Sequence, residues 1–168
     1  MYNFDAGLKI IKGKVKLKHE GQELSYPESY DLEGVKQIQW ERQNEIDGIK
    51  SFEKLTGTKV MRTGLWLHTC GFLEAYPDGL FFSDGIIEVK CPYTLRNSPL
   101  ADNLKKSDIL FSENGEYIAN RDHNYYHQIQ GQLHITGRDY CYLVLWTTAD
   151  VAIKKIEKDK SWEKIFIY

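Results

Sequence analysis

The segment AYPDGLFFSDGIIEVKCPY at residues 75–93 constrains this chain more than any other. Two runs of strand-forming residues, 78–82 and 86–91, flank the turn signal Ser83-Asp84-Gly85 and predict a β-hairpin. Leu80, Phe81, Phe82, Ile86, Ile87 and Val89 make both runs almost wholly apolar, as in a strand buried on both faces rather than an exposed ribbon. Asp78, Glu88 and Lys90 nevertheless sit within them. Charges in such a setting need a partner or an ion. The fold therefore has to bury a hairpin and satisfy three ionisable groups at once.

The loop length decides how these groups meet. If Phe82 pairs with Ile86 across a three-residue loop, Asp78 lies opposite Lys90 and Glu88 opposite Leu80. Opposed residues share a face, as do residues two apart on one strand, so Asp78, Glu88 and Lys90 project from the same side. The Asp78–Glu88 diagonal is then about 7–8 Å at the backbone. A two-residue loop would turn Asp78 to the other face. Two converging carboxylates repel, and a divalent cation removes that cost. Oxygen ligands of this kind suit Mg2+ or Mn2+. Such an ion can activate water and stabilise charge on a phosphate. Lys90 adds a protonated amine that can neutralise the charge developing there. By itself the pattern is also met by a surface strand pair with a cross-strand Asp78–Lys90 contact.

The rest of the chain supplies the setting. From Asp31 the pattern is helical to about Thr56, with Gly57 as a stop. Positions 35, 38, 42, 45, 49 and 52 form a stripe at helical spacing, apolar at Val35, Ile38, Ile49 and Phe52. Arg42 and Glu45 interrupt it, and a core-facing Glu45 needs either a cationic partner or the same metal site. Residues 59–61 and 64–68 read as strand pieces. The polar stretch 94–122 has turn signals at 97–99 and 113–115 and room for a short helix. A second helix covers about 123–136, with Gly137 after it and a stripe through Tyr126, Ile129 and Leu133. Residues 140–147 read as a buried central strand and 151–156 as another, followed by a helical turn from Ser161. Residues 1–30 suggest a strand or hairpin at 8–18 and a turn at Ser25-Tyr26-Pro27. This order predicts an α/β (α+β) domain with helices packed on a central mixed sheet. The 168 residues are read as one domain, 1–168, large enough to bury a core without staples.

Composition narrows the class. Cys70, Cys91 and Cys141 are scattered and odd in number, so they read as free thiols in a reducing, intracellular setting. No apolar run is long enough to span a membrane, and the first residues lack the apolar core of a secretion signal. The net charge of −2 is unlike the basic balance common in nucleic-acid binders, but the local field matters more. Lysines cluster at 9, 12, 14, 16 and 18 and again at 154, 155, 158, 160 and 164. In KVKLKHE they form one strand face, either a protected edge or a phosphate-contacting strip. His123, His127 and His134 have no cysteine or acidic partner at zinc spacing and read as packing or DNA-contact residues. Cys91 reads as a small buried residue. Tyr126 lies on the apolar stripe and reads as core, with base stacking by Tyr125 and Tyr126 as the alternative.

Three blocks, WERQNEIDGIKSFEKLTG (40–57), FLEAYPDGLFFSDGIIEVKCPY (72–93) and YYHQIQGQLHITGRDYCYLVLW (125–146), resemble the YqaJ-type viral recombinase family. This is the family of phage lambda exonuclease, within the PD-(D/E)xK nuclease superfamily, and the likeness runs over residues 35–160 in order. It implies a restriction-endonuclease-like core and Mg2+-dependent hydrolysis of DNA, with Mn2+ as a substitute. Family members digest linear duplex DNA from the 5′ end, as a ring-shaped trimer in the phage enzyme, and supply single strand to an annealing protein. The resemblance makes Asp78 and Glu88 metal ligands, joined by the Val89 carbonyl, and Lys90 the catalytic lysine. Glu45 matches the helix glutamate near the metal. Gln128 and Gln130 match glutamines beside the active site, with Gln130 in the catalytic set. Tyr126, Arg42 and Tyr76 are read as DNA-binding or site-supporting residues.

The chain departs from the family where GASPDG becomes Glu74-Ala75-Tyr76-Pro77-Asp78-Gly79, with a bulkier Tyr76 and an added charge at Glu74. Residues 1–34 contain no arginine to match the segment that holds the 5′-phosphate in relatives, leaving Arg42, Arg62 or Arg96 as substitutes. Two other readings accompany the exonuclease: an endonuclease or nickase on the same fold, and a retired nuclease domain that binds without cutting.

Overall fold

The structure is a computed structural model that describes residues 32–104 and 108–166. The strand or hairpin expected at 8–18, the turn at 25–27 and the lysine strip of KVKLKHE lie outside the described residues. A long helix, α1 (Leu32–Thr56), is followed by the strands β1 (Trp66–Leu67), β2 (Glu74–Ala75), β3 (Gly79–Phe81) and β4 (Gly85–Lys90). Next come a short helix α2 (Leu100–Asn103), the strands β5 (Leu110–Glu113) and β6 (Glu116–Ala119), and the helix α3 (Asn124–Thr136). The strands β7 (Tyr140–Trp146) and β8 (Val151–Glu157) and a terminal turn α4 (Glu163–Phe166) complete the order. No helix among the described residues is long and apolar enough to cross a membrane.

A four-stranded sheet in the order β3-β4-β7-β8 organises the molecule. It is mixed, as expected: β4 runs parallel to β7, while β3–β4 and β7–β8 are antiparallel. Alternation sorts β4 onto two faces. Ile86 joins Leu80, Cys141, Leu143, Leu145, Ala152 and Ile156 under α3, which contributes Tyr126, Ile129 and Leu133. Ile87, Val89 and Cys91 join Phe81 and Val144 under α1, which contributes Phe52. Phe52 is fully buried and meets Phe81 edge-on at 5.1 Å between ring centroids. Burying a side chain of that size stabilises by about 2–3 kcal/mol.

The hairpin forms with a register different from the expected one. Leu80, not Phe82, pairs across from Ile86, and Phe81 pairs with Gly85. Phe82-Ser83-Asp84 is thus the three-residue loop. Phe82 adopts φ 54°, unusual for a bulky residue, and packs edge-on against Phe81 at 4.6 Å. Because the slip is by two residues, the faces are unchanged. The ladder ends at Gly79, so Asp78 lies just before β3 and is not the cross-strand partner of Lys90. Gly79 is the ladder partner of Ile87, and Asp78 also donates its N–H to the Ile87 carbonyl at 3.1 Å. Such a two-against-one arrangement, as in a β-bulge, re-aims the side chain.

Both long helices end as their glycines predict, with Gly57 at φ 69° and Gly137 at φ 68°. The packed face of α1 is rotated from the expected stripe. Ile38 is 51% exposed, whereas Gly48 is buried. A Cβ on Gly48 would lie 2.4 Å from Val89 Cγ1, so the glycine lets α1 settle directly on β4. Two further features escaped the sequence reading: β2, which pairs with β1, and the β5–β6 hairpin within the polar stretch. Asn114 at φ 52° and Gly115 at φ 81° build the tight two-residue turn of that hairpin.

Candidate active site

Three elements converge at the C-terminal end of β4. The strand presents Glu88 and Lys90 on the α3 side, and Asp78 enters from the bulge at the start of β3. All three are buried, at 1%, 7% and 9% exposure for Glu88, Lys90 and Asp78. Lys90 Nζ donates to Glu88 Oε1 at 2.7 Å. Gln128 Nε2 donates to the same oxygen at 2.7 Å, and Gln132 Nε2 to Glu88 Oε2 at 2.9 Å. Glu88 is thereby held by three donors, which a buried carboxylate requires. Asp78 Oδ2 accepts the Val89 N–H at 2.8 Å. A strand residue's N–H and C=O leave on the same side, so the Val89 carbonyl also points toward Asp78.

The helix α1 completes the cluster with a residue the sequence reading did not single out. Glu41 Oε1 accepts from Lys90 Nζ at 3.3 Å. Glu41 and Glu45 lie one turn apart on the face that meets the sheet end. Burial alone would lower the pKa of Lys90, but the charges of Glu88, Glu41 and Asp78 override it and hold the ammonium well above the usual lysine range. The Tyr125 ring sits 4.5 Å from the same ammonium. Burial, then the nearby Glu41, Asp78 and Glu45 carboxylates, push the Cys91 thiol up to about 12. That keeps it a thiol, an inert buried neighbour as expected. A cleft of about 210 Å3 opens onto Lys90, lined among others by Glu41, Tyr93, His123 and Tyr125.

The structure gathers some of the expected site residues and separates others. Asp78, Glu88, Lys90 and Gln128 come together, with the Val89 backbone beside them. Glu45 lies on the same helix face as Glu41, close enough for its charge to act on Cys91. Gln130 points elsewhere: its Nε2 donates to the Glu157 carbonyl at 2.9 Å and its Oε1 accepts the Asp159 N–H at 2.8 Å. It ties α3 to the end of β8, because two residues along a helix lie on opposite sides. The glutamine that reaches Glu88 is Gln132, which shares the face of Gln128 at i, i+4 spacing. That spacing was the one signal that could have found it. Tyr126 is core, 8% exposed, with its hydroxyl accepting from Arg121. Arg42 faces solvent, and Tyr76 is 45% exposed ahead of Asp78. No group of three or more His, Cys, Asp or Glu among the described residues is arranged to hold an ion.

On its fold the molecule stands with phage-type exonucleases. It superposes on the alkaline exonuclease of Laribacter hongkongensis with a TM-score of 0.59 and 26% identity, over 76% of this chain and 61% of that one. Against the same enzyme in complex with dAMP the TM-score is 0.60 at 25% identity, over 86% and 65% of the two chains. A phage-related exonuclease from Haemophilus somnus shares the fold at 16% identity, with a TM-score of 0.54 over 77% and 65%. The chain thus spans 61–65% of the length of these exonucleases. Residues 8–139 match the YqaJ-like viral recombinase domain, and the chain belongs to that family. No curated protein matches the sequence.

Proposed function

We propose that this chain is a metal-dependent deoxyribonuclease domain, an exonuclease that resects linear duplex DNA by hydrolysing phosphodiester bonds. The observation that carries the reading is the buried cluster at the end of β4. Asp78, Glu88 and Glu41, three carboxylates, surround a single ammonium, that of Lys90. Two of these carboxylates, Asp78 and Glu88, are buried, and two buried negative charges against one ammonium need a further cation. The donor set fits Mg2+, which uses one or two carboxylates and keeps several waters. Asp78, Glu88 and the Val89 carbonyl would hold it, and Gln132 Oε1, buried without a donor among the described residues, is an acceptor suited to an ordered water. When bound, the ion supplies Lewis acidity and a more acidic water.

The protein's own groups do the positioning. Gln128 and Gln132 fix both oxygens of Glu88, so its carboxylate keeps one orientation as substrate arrives. Lys90, held as an ammonium, places positive charge where the phosphate becomes more negative in the transition state. DNA is the partner on this reading, with a homotrimer and a single-strand annealing protein as further partners that follow from the family. The shared fold with the Laribacter alkaline exonuclease supports the exonuclease form over a nickase.

The test uses Mg2+ with end-labelled linear duplex, single-stranded DNA and closed circular plasmid. Linear duplex is expected to be degraded from its ends and the closed circle left intact. Asp78→Asn and Lys90→Ala should each lower the rate at least about a hundredfold, the scale of losing one preorganised charge contact. Cutting of the closed circle would move the reading to an endonuclease, and undiminished activity in both variants would end the site assignment.

A further inference from the structure

The three carboxylates around Lys90 are not equivalent. Glu88 is 1% exposed and bonded by Lys90, Gln128 and Gln132. Asp78 is bound to the backbone of β4 through the Val89 N–H. Glu41 comes from a different element, α1, and its side chain is 36% exposed. Its contact with Lys90 is the longer one, 3.3 Å against 2.7 Å for Glu88. No other side-chain hydrogen bond holds it among the described residues. It also lines the cleft that leads to Lys90, together with Gln37, Thr94, Tyr93, Tyr125 and His123.

Glu41 therefore sets a carboxylate oxygen within hydrogen-bond reach of the Lys90 ammonium, on the side from which a ligand would enter. A phosphodiester oxygen entering the cleft would seek the same donor with the same charge. Both cannot occupy it, and the repulsion between them grows where water is scarce. We propose that Glu41 stands in for a DNA phosphate oxygen at Lys90 and is displaced when DNA or a nucleotide binds, so that it acts as an internal competitor setting how tightly the substrate is held. Of the three carboxylates only Glu41 can leave cheaply. A half-exposed glutamate on a helix surface exchanges one weak contact for water, whereas releasing Glu88 would strand a buried charge. Glu41 thus sets affinity by acting through Lys90. The inference rests on the nuclease reading above.

The experiment separates the two. Binding of a fluorescein-labelled duplex is followed by anisotropy in EDTA, where no cutting occurs, for the wild type, Glu41→Gln and Glu41→Asp. The glutamine keeps the shape and removes the charge, so Kd should fall roughly tenfold, the effect of releasing one charge-assisted contact. The aspartate keeps the charge but reaches less far, and should fall in between. With Mg2+ present, KM of Glu41→Gln should fall by a similar factor without a matching rise in kcat. Thymidine 5′-monophosphate should inhibit that variant more strongly. A purely structural role would move thermal stability and leave the KM-to-kcat split alone. If the wild type cuts DNA but Glu41→Gln binds it no more tightly, this inference fails and the nuclease reading stands. If the wild type neither binds nor cuts duplex, the nuclease reading fails and this inference with it.

Discussion

Two amides from one face of α3 reach Glu88, and a third glutamine between them does not. This difference makes a residue-scale prediction. Gln132→Ala removes the only donor to Glu88 Oε2 among the described residues and should lower the cleavage rate about tenfold or more while costing about 1 kcal/mol of stability. Gln130→Ala breaks bonds to Glu157 and Asp159. It should cost about 1–3 kcal/mol in urea unfolding and leave the rate per folded molecule near wild type. The reverse pattern would place Gln130 in the site after all. Glu88 and Lys90 were legible in the sequence as one face because strand alternation is strict, and the apolar neighbours of Asp78, Glu88 and Lys90 gave the context away. Gln132 and Glu41 were not. Each lies on a helix whose rotation about its axis decides which side chains meet the sheet, and polar residues carry no periodic mark of that rotation.

At the scale of elements, the approach of α1 to β4 hinges on Gly48. An alanine there puts a Cβ 2.4 Å from Val89 Cγ1, and overpacking of this kind costs about 1–3 kcal/mol. Helix propensity acts in the other direction, favouring alanine by about 0.5–1 kcal/mol. Sterics should win: Gly48→Ala is expected to lower the urea midpoint, and to lower activity as well, because α1 carries Glu45. In a Val89→Ala background the clash is gone, so the same change should be neutral or stabilising. A double-mutant cycle measures that difference, and equal costs in both backgrounds would rule out the contact. The existence and ends of α1 were readable from periodicity and Gly57. Its facing was not, because Ile38 looked like core and a glycine carries no hydrophobic signal even where close packing requires it.

For the whole molecule, the predictable response is to mild acid. His123 accepts the Tyr125 N–H on Nδ1 at the start of α3, and burial lowers its pKa. Burial likewise lowers that of His134 near the other end of the helix, against the pull of the Asp159 carbonyl. A histidine whose folded pKa is depressed contributes stability that is fully present above its unfolded value, about 6.5, and is lost as pH falls below it. The Tm should therefore drop between pH 7.5 and 5.5, above the range where Glu53 and Asp159, both lowered by their hydrogen bonds, begin to matter. His123→Asn, which caps without titrating, should flatten part of that drop; an unchanged slope would show that the cap is not the cause.

What the sequence determined by itself is what short-range physics encodes. The hairpin with its charged face, the long helices with their glycine stops, the central strand at 140–146 and the mixed-sheet class all follow from side-chain periodicity and turn chemistry. The tertiary structure decided the hairpin register, the bulge that aims Asp78, and the choice of Glu41 and Gln132 as partners of Lys90 and Glu88. Those depend on how closely α1 packs on β4 and how α3 is turned above it, and both are set by contacts between residues more than forty positions apart in the chain.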